Sequence, residues 1–282
     1  MQGIELARTT HGPIEYRHLG TGRTVLVLHG GHDSCRADIR GEALLDHGFS
    51  LLIPTRPGYQ GTPLFTGPTP MAAATALIAL LDHLEIEQVS LIGISAGGPT
   101  ALELARRYPD RVDRLVLEAA VSRPWVTPAS PLFYLSSLLF NPLLQSPVWA
   151  MGRHAFRRDR DRSILLLLPQ LTRRDPRQVL ARLDEEDRDY IARLVENMES
   201  GSGFMADMSH RAPELDEIRV PTLIMHSPHD GAVPFSHARF AARHILGAEL
   251  YSTETDTHLI WIGPGSRRVL ERRAEFLARR RR

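Results

Sequence analysis

The stretch Gln88–Arg107, QVSLIGISAGGPTALELARR, decides the fold. Val89–Ile92 is a short, β-rich apolar run that reads as a buried strand. Gly93-Ile94-Ser95-Ala96-Gly97 follows at once, and Thr100–Arg107 has helical spacing. Strand, G-x-S-x-G and helix in that order predict a sharp turn with Ser95 at its apex, because Gly93 and Gly97 bring no Cβ against neighbouring elements. Such a turn pushes the Ser95 hydroxyl into open space beside a helix N-terminus, whose free N–H groups favour a developing negative charge. Taken alone, the pattern also fits a glycine-rich turn with an ordinary serine. The partners found further along the chain decide between the two.

On either side of this stretch, apolar runs alternate with helical ones. Upstream, Ile4–Ala7 and Ile14–Arg17 read as antiparallel strands around a turn at His11-Gly12-Pro13. Thr24–Leu28 is an apolar strand running into His29-Gly30-Gly31-His32-Asp33, and Phe49–Ile53 is another, ending in Pro54-Thr55-Arg56-Pro57-Gly58-Tyr59-Gln60-Gly61. Thr69–Leu84 has helical spacing, and Arg114–Leu117 is the strand after the elbow helix. Downstream, Val220–His226 and Ala248–Ser252 read as strands, with helices around Ser236–His244 and over Ser266–Arg280. The alternation predicts an α/β fold, a mainly parallel central sheet flanked by helices on both faces. Between Ser122 and Pro213 no strand is evident, only Leu- and Arg-rich helical fragments broken by prolines. The expected organisation is a core built from 1–121 and 214–282, with 122–213 inserted as a helical unit, since compact domains rarely hold a structureless loop that long.

Composition narrows the function classes. A chain of 282 residues can bury a sizeable core, and 43% hydrophobic with 24% charged residues is ordinary for a soluble globular protein. A net charge of +1 gives no electrostatic reason to expect nucleic acid or an anionic membrane as partner. All 34 basic residues are arginine, which excludes Schiff-base lysine chemistry and a P-loop lysine. Cys35 is the single cysteine, so no intrachain disulfide and no Cys-rich zinc site can form. The N-terminal residues lack an apolar segment after a basic start, and runs such as Ile164–Leu168 are too short to span a bilayer. The expectation is a cytoplasmic enzyme for a small-molecule substrate, without nucleic-acid or membrane partner; homo-oligomer formation is left open.

A serine hydroxyl is a poor nucleophile until a base removes its proton, so Ser95 needs a histidine, and the histidine an orienting carboxylate. Asp230 lies just past Val220–His226 in HSPHDGAVP, and His258 just past the last strand in TETDTHLIW. The chain order Ser95, Asp230, His258 is the one expected on this architecture. Alone, Asp230 reads as a turn carboxylate and His258 as a loop histidine; their joint placement after strands favours the catalytic reading. Glu118 and, less well placed, Asp256 are stand-ins for the acid. Acyl transfer also needs two donors facing an oxyanion, for which the backbone N–H groups of Ala96 and Gly31 are the candidates. His29-x-x-His32 and His226-x-x-His229-Asp230 have spacings that suit a metal, but the serine-hydrolase reading accounts for them better.

HGGHD, RPGYQGTP, GISAGGPTALELARRYPDRVDRLVL, VPTLIMHSPHDGAVP and DTHL fall where the α/β-hydrolase family carries its recurrent blocks. The chain resembles that family over roughly 1–122 and 213–282. The resemblance implies a Ser-His-Asp hydrolase with no metal and no cofactor, and a cap lying over the active site. Serine at 95 separates it from the family's haloalkane dehalogenases and epoxide hydrolases, which carry aspartate there. RPGYQGTP and SAGGP are most similar to a large, mixed group of small-molecule hydrolases. The expected activity is cleavage of a small, rather apolar carboxylic ester through an acyl-enzyme. C–C bond hydrolysis of a dienone, lactonase and perhydrolase chemistry would use the same triad. A reading of another class, a ligand receptor that keeps the fold with the triad idle, is disfavoured by the complete set of Ser95, Asp230, His258 and paired glycines.

The insertion is expected to set substrate choice. Its early part is dense in apolar and aromatic residues, and Trp125, Phe133, Phe140 and Met205 are the candidate pocket residues, although most such side chains simply hold two layers together. Arg153, Arg157, Arg158, Arg160 and Arg162 read as solvated charge balanced by Asp159 and Asp161 rather than as an anion site.

Overall fold

Strands buried on both faces read as nearly unbroken apolar runs, and the central strands of this molecule are of that kind. The structure, a computed structural model, describes residues 3–125 and 144–279. Its strands are β1 (Glu5–Thr9), β2 (Gly12–Leu19), β3 (Arg23–Leu28), β4 (Phe49–Pro54), β5 (Val89–Ile94), β6 (Val112–Glu118), β7 (Thr222–His226) and β8 (Glu249–Ser252). They form one sheet in the order β1-β2-β4-β3-β5-β6-β7-β8. The first two joins, β1 to β2 and β2 to β4, are antiparallel and the rest are parallel.

Successive side chains of a strand point to opposite faces, and the two cores follow this alternation. Leu26, Leu28, Leu91, Leu117 and Ile224 pack on one face beneath α2 (Pro70–His83), α3 (Gly98–Arg107) and α9 (Ser236–His244). Val25, Val27, Ile92, Val116 and Leu223 pack on the other, with Leu44 of α1 (Glu42–Asp46) and Val269, Phe276 and Leu277 of α10 (Ser266–Ala278). Helix starts follow local chemistry. The Thr69 side chain accepts from the Ala72 N–H ahead of Pro70, which opens α2.

Between β6 and β7 the described residues contain helices and no strand: α4 (Gln145–Arg158), α5 (Arg160–Leu171), α6 (Pro176–Arg182), α7 (Glu185–Asn197) and α8 (Gly203–Ser209). Asp159, Asp175 and Asp184 each cap the helix that follows. Asp159 is therefore a cap rather than a counter-ion. Arg157 and Arg160 pair at the surface with Glu196, Glu185 and Asp189, and Asp161 is shared by Arg160 and Arg188.

The register brings the functional loops to one edge. Leu28 lies beside Gly93, Ile94 beside Glu118, Glu118 beside Met225 and His226 beside Ser252. The chain leaves β3 toward β4 on one side, while β5 lies on the other, so the loops after β3 and β5 diverge over a crevice at the carboxyl edge.

Candidate active site

Ser95 sits at the end of β5 with φ of +49°, in the left-handed region that residues other than glycine adopt at a cost of about 1–3 kcal/mol. Its surroundings hold it there. The Ser95 carbonyl accepts from the Val121 N–H at 2.9 Å, and Ser95–Gly97 forms a single 3-10 turn leading into α3. A Cβ on Gly93 would lie 2.6 Å from the Ala101 Cβ, and one on Gly97 would press on the Leu28 carbonyl and lie 2.8 Å from that of His29. The glycines predicted to flank a tight turn are thus required by close approach of neighbouring backbone and side chain.

His258, on the loop after β8, places Nε2 3.0 Å from Ser95 Oγ and Nδ1 2.7 Å from Asp230 Oδ2. A carboxylate only accepts, so Nδ1 carries the proton and donates it, which leaves Nε2 as the acceptor for the serine hydroxyl. Asp230 is fully buried on the loop after β7. Its Oδ1 accepts from the Ala232 and Val233 N–H groups at 2.8 Å each, and its Oδ2 also faces His226 Nε2 at 3.0 Å. Burial alone would raise the Asp230 pKa; the charge interaction with His258 and hydrogen bonds from His226 and His258 outweigh it and hold the carboxyl well below the usual range.

The stand-in acids are engaged elsewhere. Glu118 is buried against Arg273 of α10 at 3.5 Å, and burial raises its pKa against the pull of that arginine. Asp256 is clasped by Arg174 and Arg182 at 2.8 Å each. Among the described residues, Asp230 is the carboxylate hydrogen-bonded to His258.

The loop after β3 lies against the elbow: a Cβ on Gly30 would stand 3.3 Å from Ser95 Cβ, and one on Gly31 3.1 Å from the Phe204 ring. His29, at its start, accepts the Arg56 N–H at Nε2 (2.9 Å) and donates from Nδ1 to the Gly30 carbonyl (2.8 Å). Burial, reinforced by the Arg56 charge, pushes its pKa down to about 3, so the ring stays neutral. Among the described residues no group of three or more His, Cys, Asp or Glu side chains is arranged to hold a metal ion.

Of the expected pocket residues, Trp125 and Met205 pack against a small cluster of Tyr59, Phe204 and Met208 that adjoins Gly31. Trp125 also donates to the Ala232 carbonyl at 3.0 Å, beside the Asp230 loop. Phe133 and Phe140 lie outside the described residues. His32 adds an aromatic face here, 3.9 Å centroid to centroid from Phe204 and 5.1 Å from Trp149. A polar groove of about 500 Å³ lined by Glu15, Arg36, Gln60 and Arg153 shares no residue with the Ser95 site.

Sequence reading missed several supports. Leu171, the last residue of α5, has a carbonyl without a helical partner, and it accepts both the His258 N–H (2.7 Å) and the Gly231 N–H (3.1 Å). A single atom thereby ties the two loops that carry Asp230 and His258. Arg56 and Asp207 form a buried pair, to which Tyr59 donates at 2.6 Å. The available signal was an arginine two residues past a fully buried, mostly apolar strand, a position that tends to be buried and so to need a counter-charge.

Known proteins show the same architecture. A family model described as alpha/beta hydrolase fold matches residues 23–262. An uncharacterized hydrolase of Bacillus subtilis (strain 168) is 37% identical over 92% of this chain and 93% of its own. A 2-hydroxy-6-oxononadienedioate/2-hydroxy-6-oxononatrienedioate hydrolase of Paraburkholderia phymatum is 28% identical over 78% of this chain and 76% of its own. Among solved structures, an alpha/beta hydrolase fold protein from Nakamurella multipartita superposes with a TM-score of 0.85 at 29% identity, covering 98% of this chain and 99% of that one. The family match spans most of the sheet and both loops that meet at Ser95, and the chain therefore belongs to the α/β-hydrolase family and is a hydrolase.

Proposed function

We propose that the protein is a serine hydrolase that cleaves a small, rather apolar carboxylic ester by way of an acyl-enzyme. The observation that carries this reading is the hydrogen-bonded line from Ser95 Oγ through His258 to Asp230, at 3.0 and 2.7 Å. In the first half-reaction Ser95 Oγ attacks the ester carbonyl while His258 Nε2 takes the hydroxyl proton. Asp230 stays ionised, keeps the ring in the required tautomer and stabilises the imidazolium. The tetrahedral oxyanion is held by the N–H groups of Gly31 and Ala96. Its collapse expels the alcohol, which leaves with the proton from His258. Water then repeats the sequence on the acyl-enzyme and releases the acid. The strained φ of Ser95 supports this role, because steric cost at a single buried serine needs a compensating reason.

The helical segment between β6 and β7 acts in this proposal as the cap, and Trp125 and Met205 as part of the apolar wall. The preference for an apolar substrate rests on the aromatic set around Phe204. The test is turnover of p-nitrophenyl esters of graded chain length by the wild type and Ser95→Ala. Loss of turnover with an unchanged melting temperature supports the nucleophile; persistent turnover in the variant sinks it.

A second reading is C–C bond hydrolysis of a vinylogous diketone with the same groups. It draws support from the 28% identical Paraburkholderia phymatum relative, named for a dienedioate substrate. Turnover of a dienone with no cleavage across the ester panel would select it.

A further inference from the structure

The loop that carries the proposed oxyanion donor is gripped from below by groups to which the reaction itself assigns no part. Arg56 Nε donates to the His29 carbonyl at 2.8 Å, and Arg56 Nη2 donates to the Gly30 carbonyl at 3.1 Å. The same guanidinium reaches Asp207 with both terminal nitrogens, Nη1 to Oδ1 at 2.8 Å and Nη2 to Oδ2 at 2.6 Å. Tyr59 donates its hydroxyl to Asp207 Oδ2 at 2.6 Å, and the His32 backbone N–H faces that hydroxyl. All three side chains are buried, with Arg56 3% and Asp207 5% exposed. His210 adds a contact at 3.2 Å to Asp207 Oδ1.

Peptide geometry gives this grip a direction. A trans peptide is planar, with its carbonyl and its N–H pointing opposite ways. The Gly30 carbonyl accepts from both Arg56 Nη2 and His29 Nδ1, so the Gly31 N–H in the same plane is turned away from them. The Gly30–Gly31 peptide is thus fixed through its carbonyl, which leaves the Gly31 N–H on the side away from Arg56 and His29. Asp207, which completes the clamp, comes from α8, in the segment between β6 and β7.

We infer that the Arg56–Asp207–Tyr59 cluster positions the oxyanion loop, so that oxyanion stabilisation depends on α8 being seated on the core. The inference rests on the serine-hydrolase reading and on Gly31 as donor. None of the three side chains touches substrate; they act through the loop. A neutral hydrogen-bonding partner could hold α8 in place as well as an ion pair does. A buried bidentate guanidinium that also grips two successive carbonyls does more, because its fork fixes the carbonyls relative to the carboxylate.

Two variants and one inhibitor test this. Asp207→Asn keeps the shape and one acceptor but loses the bidentate charge pairing; Tyr59→Phe removes the hydroxyl between Asp207 and His32. A trifluoromethyl ketone, which forms a tetrahedral adduct on an activated serine, reports the oxyanion site, and the product carboxylate reports ground-state binding. In folded variants with wild-type melting cooperativity we expect kcat to fall about 10- to 100-fold with KM changed less than threefold, in the range for a displaced or weakened oxyanion donor. Affinity for the ketone should fall by a similar factor while product binding holds. Equal weakening of ketone and product, or a loss carried by KM alone, would show a merely structural cluster and overturn the inference. A wild type that neither turns over esters nor binds the ketone would count against the serine-hydrolase reading instead.

Discussion

Asp230→Asn puts the proton logic of the site at risk with the smallest change of shape. The wild-type carboxylate accepts at both oxygens: two backbone N–H groups at Oδ1, and His258 Nδ1 at 2.7 Å with His226 Nε2 at 3.0 Å at Oδ2. An asparagine whose carbonyl serves the backbone donors turns its NH₂ group toward two imidazole N–H groups. His258 can relieve that clash by moving its proton to Nε2, and it then can no longer accept from Ser95. On the Ser-His-Asp template the wrong tautomer lowers kcat on the order of 10,000-fold, about 5.5 kcal/mol of transition-state stabilisation. The variant also loses charge-assisted hydrogen bonds worth about 1.5–3 kcal/mol each. The stability effect has a sign in pH. The native carboxyl titrates below the unfolded value of 3.8, so Asp230 stabilises the fold above that pH and loses its contribution as the pH falls below it. The assay pairs kcat on an ester with melting curves at pH 7 and pH 3. A loss of kcat under tenfold, or a melting deficit that does not shrink at low pH, would refute the reasoning.

Further predictions concern neighbours of the site. Glu118→Gln should cost about 2–4 kcal/mol by unbalancing buried Arg273 yet leave kcat within threefold, which urea melts and ester kinetics check together. A kcat loss like that of Asp230→Asn would reinstate Glu118 as the acid. Gly97→Ala drives a Cβ onto the Leu28 carbonyl and to within 2.8 Å of that of His29, so stability should fall by about 1–3 kcal/mol and kcat should fall with it. Wild-type kcat in the alanine variant would show that the loop after β3 does not need its present position. Asp33 is half-buried, and burial, partly offset by the Ser34 N–H and by Arg17 and Arg56, raises its pKa to about 6. Between 3.8 and about 6 the unfolded chain ionises first, so this residue destabilises the fold increasingly as pH rises through that window. Asp33→Asn should therefore stabilise at pH 7 by up to about 3 kcal/mol, less where water reaches the carboxyl, and change nothing at pH 3.5. Equal melting shifts at both pH values would contradict this.

What the sequence made legible was local. β3, β5 and β7 read directly, because strands covered on both faces need apolar residues at every position. Ser95 and Asp230 could be named because each lies just past such a run, and His258 because it follows the short, partly exposed β8; the register of a parallel sheet brings those ends to one edge. The acid was harder: Glu118 also ends a strand, and only the buried guanidinium of Arg273, 155 residues away, shows where its charge is spent. Pairings of that kind leave no periodic trace. Arg56 and Asp207 are 151 residues apart, and neither carries a spacing that announces the other. The Leu171 carbonyl was invisible for a further reason: backbone atoms have no identity in a sequence, and only the end of α5 frees this one. The organisation of 122–213 was read by composition, which finds helices but not what their faces touch.

The most direct test of the central claim is intact-mass analysis after exposure to a fluorophosphonate, with wild type and His258→Ala side by side. An activated Ser95 predicts one adduct per chain, mapping to that residue, and labelling slowed by orders of magnitude in the histidine variant. A folded wild type that takes up no label, or labels at Ser95 equally fast without His258, would contradict the account.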